Sequence, residues 1–218
     1  MPLRGKGMLI TSMDVDPAEE DDFNLWYDRE HLAERVAIEG FIEARRWIAE
    51  EAPTKYFCTY STETFEVLNS PAYQKVLANQ TDWSKHHISR FRNPGRVVGR
   101  ITVSRGQGRG GVLGVVRLRP NPSDDQSALR EKLGELLDPG MLLGIISMHL
   151  VEGDPELSKT LTNPDASSPG AGDWYVLIDG SDLSAVRNLM NERFQNPGAE
   201  VISTATYRLL WDLAKSDL

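Results

Sequence analysis

The run FNLWYDREHLAERVAIEGFIEARRW, Phe23–Trp47, holds two elements of different period joined by one turn. Just upstream, Asp16 precedes Pro17, and Glu19, Glu20, Asp21 and Asp22 follow. A capping carboxylate, a proline with its φ already set and acids in the opening turns predict a helix start near Pro17. Apolar residues then recur at Phe23, Trp26, Tyr27, Ala33, Val36 and Ala37, a stripe of helical period. Asp28, Arg29, Glu34 and Arg35 fall mostly off that stripe, and Gly40 supplies the stop. From Gly40 to Glu50 the period drops to two. Phe41, Glu43, Arg45 and Trp47 share one face of this strand, and Ile42, Ala44, Arg46 and Ile48 share the other.

Working outward, Met8–Val15 alternates and is rich in β-formers, a first strand ahead of the helix. Lys55–Glu63 reads as a strand hairpinned to Gly40–Glu50. A helix from about Thr64, interrupted at Ser70–Pro71, runs to Asn79; Thr81 and Asp82 then cap the short helix WSKHHISRFR. Arg96–Ser104 completes the order βαββαβ over residues 1–105. The connector GQGRGG at 106–111 lacks the Lys-Ser/Thr end of a phosphate loop and leads into a strand. The order then repeats over 111–218. Strand Val112–Leu118 precedes a helix opened by Asp124 and Asp125, and strand Met141–Val151 precedes a loop over 153–172. Strand Asp173–Asp179, a helix capped by Ser181 and strand Glu200–Leu213 finish the chain. The fold class expected is α+β: two tandem ferredoxin-like units packing sheet to sheet into a dimeric α+β barrel-type arrangement, because a lone unit leaves one apolar sheet face bare. The sequence leaves open whether the halves close within one chain or exchange between two.

The pattern F-x-x-W-Y-D-x-E-H-L, followed by G-F-x-x-A-R-R-aromatic, resembles the EthD-like branch of the dimeric α+β barrel superfamily. The resemblance covers roughly residues 1–105 and implies a pocket between sheet and helices, faced by the helical histidine and its aromatic neighbours. The positions it carries over are Trp26, Tyr27, His31, Arg46 and Trp47. Relatives often place a proline two residues after the histidine, where this chain has Ala33. Related barrels commonly associate, which implies a homodimer.

At 218 residues, 40% hydrophobic and with a mean hydropathy of −0.39, the chain has the composition of a soluble globular protein. No apolar run reaches the ~20 residues that cross a bilayer, and the start MPLRGKGMLI lacks the apolar core of a signal peptide. With one cysteine, Cys58, a cytoplasmic location is expected. A net charge of −8 argues against nucleic-acid partners. The charge is uneven: between Asp82 and Asp124 there is no acid, but nine lysines and arginines fall there. Such a run is either a solvated face or a region that attracts a small carboxylate.

His31 has the side chain best suited to proton transfer near neutrality, with Asp28 one turn back to orient it. Tyr27 and Arg46 are the groups expected to steady developing negative charge, giving a catalytic set of His31, Tyr27 and Arg46. Trp26, Asp28, Arg45, Trp47, Tyr60 and Trp83 are expected to bind substrate. His86 and His87, adjacent on a helix, are expected to diverge by about 100° and not to share a metal ion. The function expected is therefore acid–base catalysis on a hydrophobic, aromatic or polyketide-like carbonyl or carboxylate substrate, without metal or cofactor. A cyclase, an isomerase and a decarboxylase all share that first proton transfer. Two alternatives stand beside it: a barrel that only binds a small ligand, and a haem- or oxygen-dependent monooxygenase.

Overall fold

A computed structural model describes residues 3–123, 125–159 and 170–218. Asp124 and residues 160–169 of the 153–172 loop lie outside the described residues. Eight strands form one closed barrel: β1 (Gly7–Asp14), β2 (Phe41–Glu51), β3 (Tyr56–Thr62), β4 (Arg92–Gly106), β5 (Val112–Arg119), β6 (Ile145–Gly153), β7 (Trp174–Gly180) and β8 (Glu200–Ala214). Their order around the barrel is β1-β3-β2-β8-β5-β7-β6-β4, antiparallel throughout. Closure comes from the two longest strands, β4 and β8, each of 15 residues. β4 pairs with β1 over Arg92–Arg100 and with β6 over Gly99–Gly106. β8 pairs with β5 at its start and with β2 at its end. In this structure the barrel closes within one chain.

The strand period of two sorts the apolar residues into three cores. Met8, Ile10, Trp47, Phe57, Leu113, Val115, Leu177 and Tyr207 fill the barrel. A second core lies outside the sheet of the first half, under α1 (Glu20–Trp26), α2 (Leu32–Ala37), α3 (Pro71–Ala78) and α4 (Asp82–Ile88). The third lies under α5 (Gln126–Leu136) and α6 (Leu183–Arg193). On β2 a bulge between Phe41 and Glu43 turns Phe41 to the helix side, so Glu43, Arg45 and Trp47 face the interior without it.

The helix is not uniform. Asp16 caps a short 3-10 turn at Pro17–Glu19, α1 follows, and Tyr27–His31 forms one π-helical turn before α2. A π turn inserts one residue and shifts the phase of everything after it. Leu32 and Arg35 are consequently buried beside Val36, whereas Ala37, on the stripe of uniform period, is exposed. The strand expected from Met141 begins only at Ile145. Pro139, Gly140 and Gly144 hold the chain in turns, with positive φ at both glycines, and leave Met141 and Leu143 exposed. The α6 cap is Asp182, whose carboxylate accepts from the Ala185 amide, and not Ser181.

Candidate active site

The π turn puts Tyr27 and His31 on the inner side of the helix layer, their rings 5.0 Å apart. Both line a cavity of about 480 Å³, within the range of small-molecule sites. Leu9, Thr11 and Met13 of β1, Tyr60 of β3 and Tyr73 of α3 form its helix-side wall. It continues past Asn93–Val97 to the barrel mouth at Phe57, Tyr175 and Tyr207. Three buried polar atoms on this wall have no hydrogen-bond partner among the described residues: Thr11 Oγ1, His31 Nδ1 and an Arg35 guanidinium nitrogen. Arg35 follows His31 by one turn, is 4% exposed and has no carboxylate partner among the described residues. Burying a polar group unpaired is costly, and a charge more so, which marks this wall as built for something that accepts from it.

The electrostatics follow from burial. Desolvation, then the charges of Arg35 and Arg46, hold the His31 imidazole well below its ordinary 6.5. At neutral pH His31 is an uncharged base. Burial and the neighbouring Cys58 and Tyr60 push Tyr27 well above 10, so its hydroxyl, 2.9 Å from that of Tyr60, stays protonated and can donate. The Cys58 thiol is raised by burial to about 11 and is inert. One consequence is measurable. Below about pH 6.5 unfolded His31 takes up a proton that the folded form refuses, so stability is expected to fall on acidification. The unfolding free energy from pH 7.5 to 5 should decline less in His31→Gln than in the unsubstituted chain. A residual slope is left by His87, which burial holds low against the pull of Asp22.

The other expected site residues lie elsewhere. Arg46 is 1% exposed and not on the cavity wall: it pairs with Asp28 at 2.6 Å, donates to Asn24 and packs over Phe23, Tyr27 and Tyr56. It locks helix to sheet behind the cavity, and Asp28, engaged by it, does not reach His31. Trp26 lies behind His31, ring centroids 4.4 Å apart, and donates to Ser84. Trp83 bonds Asp22 at the outer edge. Trp47 and Arg45 point into the barrel, with Arg45 stacked 4.3 Å over the Trp47 ring. Arg45 bonds Asp179 at 2.7 Å and the Gly110 carbonyl, forming a polar plug at the barrel end opposite the mouth. The structure thus brings His31, Tyr27 and Tyr60 together at the cavity and separates Arg46, Asp28, Trp26, Trp47, Trp83 and Arg45 from it.

Arg35 is the charged cavity-wall residue that the helical stripe misplaced; its spacing of four from His31 was the available signal. Most of the basic run is consumed by carboxylates: Arg92 by Asp16, Arg100 by Glu66, Arg109 by Glu43, and Arg117 and Arg119 by Asp173. Arg96 and Arg117 also line the cavity. A wider open depression of about 630 Å³ near Arg119, Lys132 and Glu200 contains no histidine, tyrosine or unpartnered buried group among its lining residues.

Haem needs an axial ligand, and a metal-bound histidine normally donates its other ring N–H to a carboxylate or carbonyl. His31, the histidine on the cavity wall, has no such partner for Nδ1 among the described residues and stands among cations. His149 has both ring nitrogens engaged, by Ser104 and Ser147. The residues present do not fit haem ligation.

No protein-family model and no curated protein matches this chain. Solved structures match over nearly its whole length. A candidate monooxygenase from Fusobacterium nucleatum is 10% identical over 97% of this chain and 95% of that one, with a TM-score of 0.66. An anthrone oxidase-like protein is 9% identical over 99% and 96%, with a TM-score of 0.67. A haem-binding protein from Thermus thermophilus is 10% identical over 96% and 92%, with a TM-score of 0.56. At these identities the likeness is one of fold: an α+β protein built on an eight-stranded antiparallel barrel, in which no described helix is long and apolar enough to cross a membrane.

Proposed function

We propose that this protein is a small-molecule enzyme in which His31 removes a proton from carbon next to a carbonyl group of an aromatic substrate, without a metal. The observation that carries this reading is the pairing, one helical turn apart on the cavity wall, of a neutral buried imidazole and a buried guanidinium, one nitrogen of which has no hydrogen-bond partner among the described residues. Loss of the proton leaves an enolate, and its oxygen is the acceptor that Arg35 lacks. Tyr27, protonated and hydrogen-bonded to Tyr60, is the donor that steadies or returns the proton. Aromatic and aliphatic walls from Tyr60, Tyr73, Leu9 and Met13 suit a flat apolar ring system. Arg46 enters this mechanism only as the support of the helix that carries His31.

The first test is binding. Arg35→Met, titrated with a hydroxyaromatic carboxylate such as 3-hydroxy-2-naphthoate, is expected to bind about 10- to 100-fold more weakly, the loss of one charge-assisted hydrogen bond. Equal affinity in the two proteins would remove Arg35 from the site.

A second reading extends the first and is supported by what the neighbours are called. An aromatic enolate is electron-rich enough to reduce dioxygen. For anthrone the sum is anthrone plus dioxygen giving anthraquinone plus water: one oxygen atom becomes the new carbonyl, and the other leaves with the two methylene hydrogens. An oxygen electrode should then record one dioxygen per ketone consumed. A homodimer, and the resemblance of Phe23–Trp47 to EthD-like proteins, belong to this proposal too, with the exposed Met141 and Leu143 as the apolar residues a second copy would cover.

A further inference from the structure

We infer that Glu19, His86 and His87 form a binding site for one divalent first-row transition metal, of the zinc type, on the outer side of the helix layer. Adjacent histidines were expected to diverge, yet their ring centroids stand 5.0 Å apart at 84°. One ligand atom from each of Glu19, His86 and His87 lies within 4.8 Å of the others. Two ligands each about 2.0–2.1 Å from a tetrahedral zinc ion stand about 3.3 Å apart. The His86 Nε2 to Glu19 Oε1 distance is 3.8 Å, so a small side-chain adjustment closes the shell. Asp22, outside the converging group, lies 3.0 Å from His87 Nε2, is held in place by the Trp83 indole and adds negative charge beside the site. Two imidazoles with carboxylate oxygens are a donor set that zinc, iron, cobalt and nickel accept readily.

The charges around the site favour a cation. Asp21 stands beside Asp22 in the opening turns, Glu20 is paired with Lys55, Arg92 with Asp16, and Lys85 with Asp82. Arg90 competes directly: it lies 3.4 Å from Glu19 and 2.8 Å from His86 Nδ1. Its side chain is half exposed on a flexible stem, so an incoming dication displaces it into water at small cost. The ion would fasten α4 to the start of the helix that carries the π turn. His87 packs on Trp26, which also packs on His31, with centroid distances of 5.0 and 4.4 Å. A metal here therefore fixes the ring that supports the cavity histidine, from a site outside the cavity.

The experiment uses the full chain, untagged and stripped with chelator, titrated with zinc against a chromophoric competitor and then melted with and without zinc. One ion per chain is expected, with a zinc-dependent rise in melting temperature. Glu19→Gln and His86→Ala each change a side chain at the surface, and each should weaken binding by at least about tenfold and abolish the rise. The inference is overturned if the unsubstituted chain takes up no zinc, or if both variants bind as tightly as it does. Neither outcome depends on what the cavity binds.

Discussion

His31→Ala is expected to slow the turnover of an aromatic ketone such as anthrone by about 10²- to 10⁴-fold while leaving its affinity within a few-fold, the signature of a lost general base. The side chain is 7% exposed and packs against Trp26 and Tyr27, so the substitution also opens space. His31→Gln keeps most of the volume but cannot take up a proton, and it separates the two effects. If both variants lose turnover and both still bind, His31 is the base. If binding falls in step with turnover, the histidine serves recognition, and the barrel is a ligand carrier rather than a catalyst. Saturation kinetics and equilibrium titration with anthrone supply the two quantities.

The largest stability effect is expected at the opposite end of the barrel. Arg45→Ala should cost about 3–5 kcal/mol, because it strands the Asp179 carboxylate where neither is more than 5% exposed. Arg45 comes from β2 and Asp179 from β7, so the pair ties the first half of the chain to the second across the barrel interior. The connector is part of the same plug: the Gly110 carbonyl accepts from Arg45 and its amide donates to Asp179. No side chain fits there, since a Cβ on Gly110 would stand 1.9 Å from the Gly180 carbonyl oxygen. Burial alone would push Asp179 up, but His149 and Arg45 beside it hold it below the ordinary carboxylate value. Its contribution is thus present at neutral pH and is lost as pH falls through that depressed value. Urea unfolding of Arg45→Met, of Asp179→Leu and of the double Arg45→Met/Asp179→Leu should show the double variant less destabilised than the sum of the singles. Additive losses would mean that the pair is not coupled.

The element order was legible because strands and helices here obey their periods: Pro17, Ser70, Thr81 and Asp125 act at the helix starts where their side chains put them. The pairing of β4 with β6 and of β8 with β2 was not, since nothing local in a 15-residue strand says that its two ends serve different neighbours. At the site, His31, Tyr27 and Tyr60 were readable as polar and aromatic groups at helical or strand spacing. Arg35 was missed because the π turn moves it onto the core face, and a π turn carries no composition signal. Arg46 and Arg45 were given chemical roles because sequence shows a cation without its partners; Asp28 and Asp179 stand 18 and 134 residues away from them. His86 and His87 were set apart on the 100° step between helical neighbours, which the side-chain rotamers offset by bringing the rings to 5.0 Å.

The most direct measurement is proton exchange at the methylene carbon of anthrone in D₂O under argon, followed by NMR with the unsubstituted chain and with His31→Ala. Without dioxygen the substrate is not consumed, so the signal reports carbon-proton removal alone. The mechanism predicts saturable exchange well above the buffer rate, reduced at least about 100-fold in His31→Ala. Exchange at the buffer rate with anthrone bound, or exchange undiminished by the substitution, would contradict it.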